Sequence, residues 1–151
     1  RIASLRLTSG TTAVHSDMIE WNLKETPENV GRAIINSIFG VVQYSAMLKD
    51  IPQEHLEVIK KWISFTSEHR ETLLHSEFRP HHPELGYPVI EAESDTERIV
   101  AVYQDNVVVE AAPRGKRLYI LNASGSDSIA VRRGDKVRTV KVPCGDWKEV
   151  K

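Results

Sequence analysis

Between Ser76 and Pro88 the chain reads S-E-F-R-P-H-H-P-E-L-G-Y-P, and three prolines and a glycine in so short a span deny it both helical and central-strand hydrogen bonding. The segment therefore reads as a linker between two kinds of sequence. Ahead of it apolar residues recur at helical spacing; behind it short β-rich runs alternate with turn residues. Such a chain is expected to divide near residue 80, with residues 1–78 in one part and 79–151 in the other.

In the first part, Thr26-Pro27-Glu28 has the grammar of a helix start: a hydroxyl cap, a proline whose missing N–H costs nothing at the first helical position, and an early carboxylate. The spacing predicts a helix from Pro27 to about Ser37, with Val30, Ala33, Ile34, Ser37 and Ile38 on one buried stripe. Gln53 to Ser76 predicts a long helix behind Pro52, with Leu56, Ile59, Trp62, Phe65 and Leu73 on its apolar face. Thr11–Asp17 reads as a strand. Phe39–Ser45 fits a helix continuation or a buried strand by periodicity, and Gly40 favours the strand. Arg1–Leu7 reads as the tail of an earlier helix. Alternating α and β units of this kind build parallel sheets and barrels, and two strands cannot complete such a sheet. Together with an opening residue other than Met, the unpaired units predict a fragment of a longer protein.

In the second part, strands are expected at Val89–Glu93, Arg98–Gln104, Asn106–Ala111, Arg117–Asn122, Ser128–Arg132 and Lys136–Val142. Turn signals separate them, among them Pro113-Arg114-Gly115 and Arg133-Gly134-Asp135. The spacing is too short for parallel crossovers, so the expectation is a small antiparallel β-sandwich.

Composition removes several functions. Twenty basic and twenty-one acidic side chains leave a net charge of −1, which offers no general field for nucleic acid or an acidic membrane. No apolar run approaches the ~20 residues of a spanning helix, so a soluble chain is expected. The single cysteine, Cys144, can close no intrachain disulfide.

The strand ending at Asp17 places His15 and Asp17 two residues apart on one side, and the carboxyl ends of parallel strands are where barrels and open sheets build their sites. The plainer reading of the tetrapeptide is a capped turn with His15 bonded to a neighbour. The pair alone makes no zinc site, which takes about three or four protein ligands. His75, His81 and His82 around the linker could bind metal, though loop histidines are commoner. Trp21, Tyr87 and Trp147 could stack on a sugar ring or a base, or could close a core. Arg132, Arg133, Lys136, Arg138 and Lys141, alternating with valines, read as the solvated face of a hairpin. Asn122-Ala123-Ser124 matches a glycosylation sequon.

The run from Arg6 to Met18, containing T-A-V-H-S-D-M, resembles the carboxyl-terminal part of melibiase-type α-galactosidases, family 36 of the glycoside hydrolases, and close relatives. The resemblance continues through Trp21 and through Ile38-Phe39-Gly40-Val41-Val42-Gln43-Tyr44-Ser45, with Val42 where the family often has proline. It extends through Pro52-Gln53-Glu54-His55, Glu68-His69-Arg70 and Glu77-Phe78-Arg79-Pro80 to Tyr87-Pro88.

That resemblance implies the last βα units of a (β/α)8 TIM barrel over residues 1–78, with Thr11–Asp17 and Phe39–Ser45 as its seventh and eighth strands, followed by an antiparallel β-sandwich over 79–151. It implies a retaining hydrolase of α-galactosides, whose two aspartates, about 5 Å apart, act as nucleophile and acid/base. In the family both precede the position of Arg1, so no residue here carries a catalytic role, and only His15 and Asp17 are carried over, as substrate-binding pocket wall. The implied partner is a neutral carbohydrate, with no cofactor, metal, nucleic acid or membrane; a homo-oligomer is compatible. The alternatives are a sugar-binding sandwich with Tyr103, Tyr119 or Trp147 as stacking platform, and a purely structural sandwich covering the helices.

Overall fold

Four helices occupy the first half of the computed structural model, which describes residues 3–10, 12–16, 18–45 and 48–151: α1 (Ala3–Ser9), α2 (Pro27–Ile35), α3 (Gln53–Glu68) and α4 (Arg70–His75). The Thr26 hydroxyl accepts from the Asn29 amide at 3.3 Å and Pro27 opens α2 as its sequence dictates. Val30, Ile34 and Ile35 on α2 are fully buried. The long helix expected over 53–76 breaks at His69, whose backbone (φ −103°, ψ 17°) leaves helical values and separates α3 from α4. Arg6 ties α1 to the rest: its guanidinium donates to the carbonyls of Phe39 (2.7 Å) and Leu73 (3.0 Å) and lies over the Phe78 ring.

The barrel is not formed. In place of two strands, the described residues of the first half hold two isolated parallel bridges, His15 with Val41 and Ile19 with Tyr44. The amide of Ser16 donates to the Val41 carbonyl (3.0 Å) and that of Ile19 to the Gln43 carbonyl (2.8 Å), while Phe39 and Gly40 sit in turns after α2. Two short strands cannot close a barrel or shield the apolar sides of α2–α4. Those helices pack instead on a sheet from the second half.

Eight strands build that half: β1 (Glu77–His81), β2 (Val89–Glu93), β3 (Glu97–Val102), β4 (Val108–Glu110), β5 (Arg117–Asn122), β6 (Ser128–Arg133), β7 (Lys136–Lys141) and β8 (Trp147–Val150). One sheet runs β1-β2-β3-β5-β8, the other β4-β6-β7. The first correction is to the linker: Glu77–His81 is an edge strand paired to β2, and the edge tolerates Pro80 because one side of the backbone needs no partner. The second is to the antiparallel sandwich, since β3 pairs with β5 and β4 with β6 in parallel. The chain reaches these pairings by alternating between sheets. Each crossing reverses its direction, so two crossings return it parallel to where it left without the long same-sheet crossover that a parallel pair otherwise needs. The third is β8, which was not expected and completes the sheet beside β5.

The five-stranded sheet is a middle layer. Period-two alternation sends Ile90, Ala92, Ile99, Ala101, Tyr119 and Leu121 to one face, where they form a core with Trp62, Phe65 and Leu73 of the helices. Val100, Val102, Leu118 and Ile120 point the other way and meet Val109, Ile129 and Val131 of the smaller sheet. Each large apolar side chain so buried contributes about 1.5–3 kcal/mol.

Candidate functional site

The pocket wall expected from the sequence divides. His15 is exposed, its Nδ1 3.5 Å from the side-chain nitrogen of Gln43, and Asp17 lies outside the described residues. Between them Ser16 is buried and holds the bridge, its hydroxyl donating to the Val41 carbonyl (3.1 Å) and accepting from the Gln43 amide (3.2 Å). His15 thus marks the solvent end of the paired segments, with Gln43 beside it. Next to the second segment lies a hollow of about 270 Å³ whose lining includes Val42, Tyr44, Thr66, Ser67 and Arg70. The Tyr44 hydroxyl is buried without a hydrogen-bond partner among the described residues, and burial pushes its pKa up to about 12.

The aromatic platforms are core residues. Tyr103 is buried with its hydroxyl donating to the Ile35 carbonyl at 2.9 Å. Tyr119 is buried among Phe65, His69 and Trp147, with ring centroids 5.9, 4.4 and 6.0 Å away. Trp147 is half-buried in the same cluster. Tyr103 and Tyr119 offer no free face for a sugar ring, and the Lys61 ammonium stands 5.7 Å over the Trp147 ring. Trp21 is anchored similarly: its indole N–H donates to Nδ1 of His55 (3.1 Å), so the His55 proton sits on Nε2 and donates to the Glu25 carbonyl (2.9 Å).

The linker histidines do not converge on a metal. His81 lies 3.2 Å from Glu91 and His82 3.1 Å from Glu84. Among the described residues no group of three or more His, Cys, Asp or Glu side chains is placed to hold a metal ion, and no helix is long and apolar enough to cross a membrane. The Asn122 side chain is fully buried, donating to the carbonyls of Ser126 and Val142 (2.7 Å each), so the sequon offers no accessible acceptor. Burial and the neighbouring Asp127 carboxylate push the Cys144 thiol up, away from thiolate chemistry.

What the sequence did not reveal is a set of shielded carboxylates on β2 and β3. Glu93 accepts from Arg79 (2.9 Å), Arg98 (2.5 Å) and Lys116 (2.8 Å). Burial alone would raise its pKa, but the bonds from Lys116 and Arg98 outweigh it and hold the carboxyl below the usual range. Glu91 faces Arg79 and His81. Glu97, on β3, sits against both His69 and Thr72 of the broken helix. The signal was present in Val89-Ile90-Glu91-Ala92-Glu93, where two glutamates stand two residues apart, on one face of an otherwise apolar strand. Such carboxylates, each held by cations or donors, act as acceptors that clamp elements together. An ionised Glu93 has no proton to give as a general acid.

Comparison with protein-family models, with curated proteins and with solved structures finds no match to this chain.

Proposed function

We propose that this chain is the carboxyl-terminal part of a retaining α-galactoside hydrolase, and that its own contribution is architectural: a sheet that braces the helices behind the T-A-V-H-S-D-M segment. The observation that carries the reading is the pairing of the two segments on which the resemblance rests. The backbones of His15 and Ile19 bridge those of Val41 and Tyr44 in parallel, so the first motif lies directly beside the second. The bracing role rests on side chains that cross from helix to strand or turn. Trp62 donates to the Gly145 carbonyl (3.3 Å), Arg32 to the Ala123 carbonyl (3.2 Å) and Tyr103 to the Ile35 carbonyl. The burial of Tyr103 and Tyr119 favours this role over a sugar-binding platform.

A chromogenic α-galactoside assay tests the assignment. The chain alone is expected to be inactive, with turnover restored when the region encoded upstream is joined to it. Turnover by the isolated chain, or an upstream reading frame without a pair of strand-end aspartates, would overturn it.

A further inference from the structure

Where β7 and β8 form the neighbouring free edges of the two sheets, the space between them opens as a mouth of about 480 Å³ lined by apolar residues, by Arg133, Lys136 and Arg138, and by Lys151. Leu118, Val131 and Val150 make its apolar floor; Arg133, Lys136 and Arg138 stand around it. The register shows why these three converge. Arg138 pairs with Val131, and Lys136 pairs directly with Arg133, so all three project from the inner face of the smaller sheet. All five cations of the hairpin are exposed, as the sequence pattern predicts, but Arg133, Lys136 and Arg138 stand on the face that borders the mouth, whose lining also includes the 55% exposed Val137.

Like charges directly opposite across a strand pair repel. Elsewhere this chain relieves its cations with carboxylates: Arg79, Arg98 and Lys116 share Glu93, and Arg132, on the outer face of the same strand as Arg133, meets Glu110 at 3.2 Å. At the mouth Arg133 reaches the Ala112 carbonyl (3.4 Å), and Arg138 reaches a main-chain oxygen of Lys151, which itself lines the mouth. Lys136 has no partner among the described residues, and Asp135, in the exposed turn beside it, makes no ion pair. Three exposed cations without an Asp or Glu side-chain partner among the described residues, set over an apolar floor, complement an anion with an apolar body.

We propose that this mouth binds a single-chain amphiphilic carboxylate, its head among Arg133, Lys136 and Arg138 and its tail along Leu118, Val131 and Val150. The site is independent of the hydrolase reading, because neither motif segment contributes to it. Calorimetric titration of decanoate below its micelle concentration tests it, with methyl NMR reporting on Leu118, Val131 and Val150. Saturable one-to-one binding that weakens with salt is expected, with shifts confined to those methyls. Arg138→Glu and Lys136→Glu should each weaken it about tenfold or more, and Lys141→Glu on the outer face should leave it unchanged. Thermal unfolding confirms that the variants remain folded, and Arg138→Gln serves if the glutamate variant does not. Equal affinity for decyltrimethylammonium, for inorganic phosphate or for an acidic peptide, binding only to anionic vesicles, or binding indifferent to both charge reversals would overturn the proposal.

Discussion

Nδ1 of the His69 imidazole lies 2.9 and 3.0 Å from the two carboxylate oxygens of Glu97, at the point where the broken helix meets β3. The Thr72 hydroxyl donates to the same carboxylate at 2.6 Å, and the Arg117 guanidinium is 3.5 Å away. His69 and Glu97 are 3% and 5% exposed, so neither can turn to water for a substitute partner. Glu97→Ala should cost about 2–3 kcal/mol in urea unfolding, since it strands the buried His69 donor and leaves the Thr72 hydroxyl only that of Ser94, 3.2 Å away. A double-mutant cycle with His69→Ala should show strong coupling; additive losses would mean that the contact does not join helix to sheet.

Glu93 makes stability depend on pH with a definite sign. Its carboxyl is held below the usual range in the folded chain, so its contribution is complete above the unfolded value of about 4.3 and fades as pH falls through the folded one. Wild type should therefore exceed Glu93→Gln by a constant margin between about pH 6 and 7, and the margin should close below about pH 4. Urea midpoints at both ends of this range decide it, and a margin that widens on acidification would contradict the assigned partners.

The Tyr44 hydroxyl gives the opposite sign from most buried substitutions. With no partner among the described residues, it carries the desolvation cost without a compensating bond. Tyr44→Phe should leave the melting temperature unchanged or raise it, by up to about 1 kcal/mol in stability. A clear loss would show that the hydroxyl is engaged.

Gly31 offers a test that separates helix propensity from packing. Alanine at a mid-helix glycine ordinarily stabilises by about 1 kcal/mol. Here a Cβ on Gly31 would overlap the carbonyl of Gly145, and one on Gly145, whose φ is +73°, would overlap the backbone of Glu28. Gly31→Ala should therefore destabilise, as should Gly145→Ala, both measured by thermal unfolding. A stabilised Gly31→Ala would mean that α2 and the turn before β8 stand farther apart.

Trp62→Ala removes the largest fully buried side chain, its edge-on contact with Phe65 at 5.6 Å and its bond to Gly145. A loss of about 3–5 kcal/mol is expected in equilibrium unfolding. A loss below about 1 kcal/mol would be incompatible with a core shared by helices and sheet.

What the sequence made legible is what local chemistry determines. The Thr26 cap, the start of α2 and the limits of β2 and β5 follow from residues within a few positions of one another. The break at His69 does not, because the Glu97 carboxylate it meets is 28 residues away. Pro80 was read as a strand breaker because its tolerance depends on lying at a sheet edge, which only pairing with β2 determines. The parallel pairs escaped for the same reason: short spacing excludes a crossover within one sheet but not a detour through another. At the candidate site, alternation set His15 to one side of its segment, while its pairing with Val41, 26 residues away, lies beyond what local sequence determines.

The shuttling of β3, β4, β5 and β6 between layers also shapes how the chain comes together. Neither sheet can be completed by hairpins alone, because the parallel pairs β3–β5 and β4–β6 must each wait for a strand of the opposite layer to be laid down between their members. The edge of the larger sheet is closed by β8, so emerging chain cannot complete the layer that covers its own helices until residues 147–150 have been made. Assembly that depends on such non-local pairings is slow, and a cut anywhere between β3 and β8 splits the larger sheet, while a cut between β4 and β7 splits both.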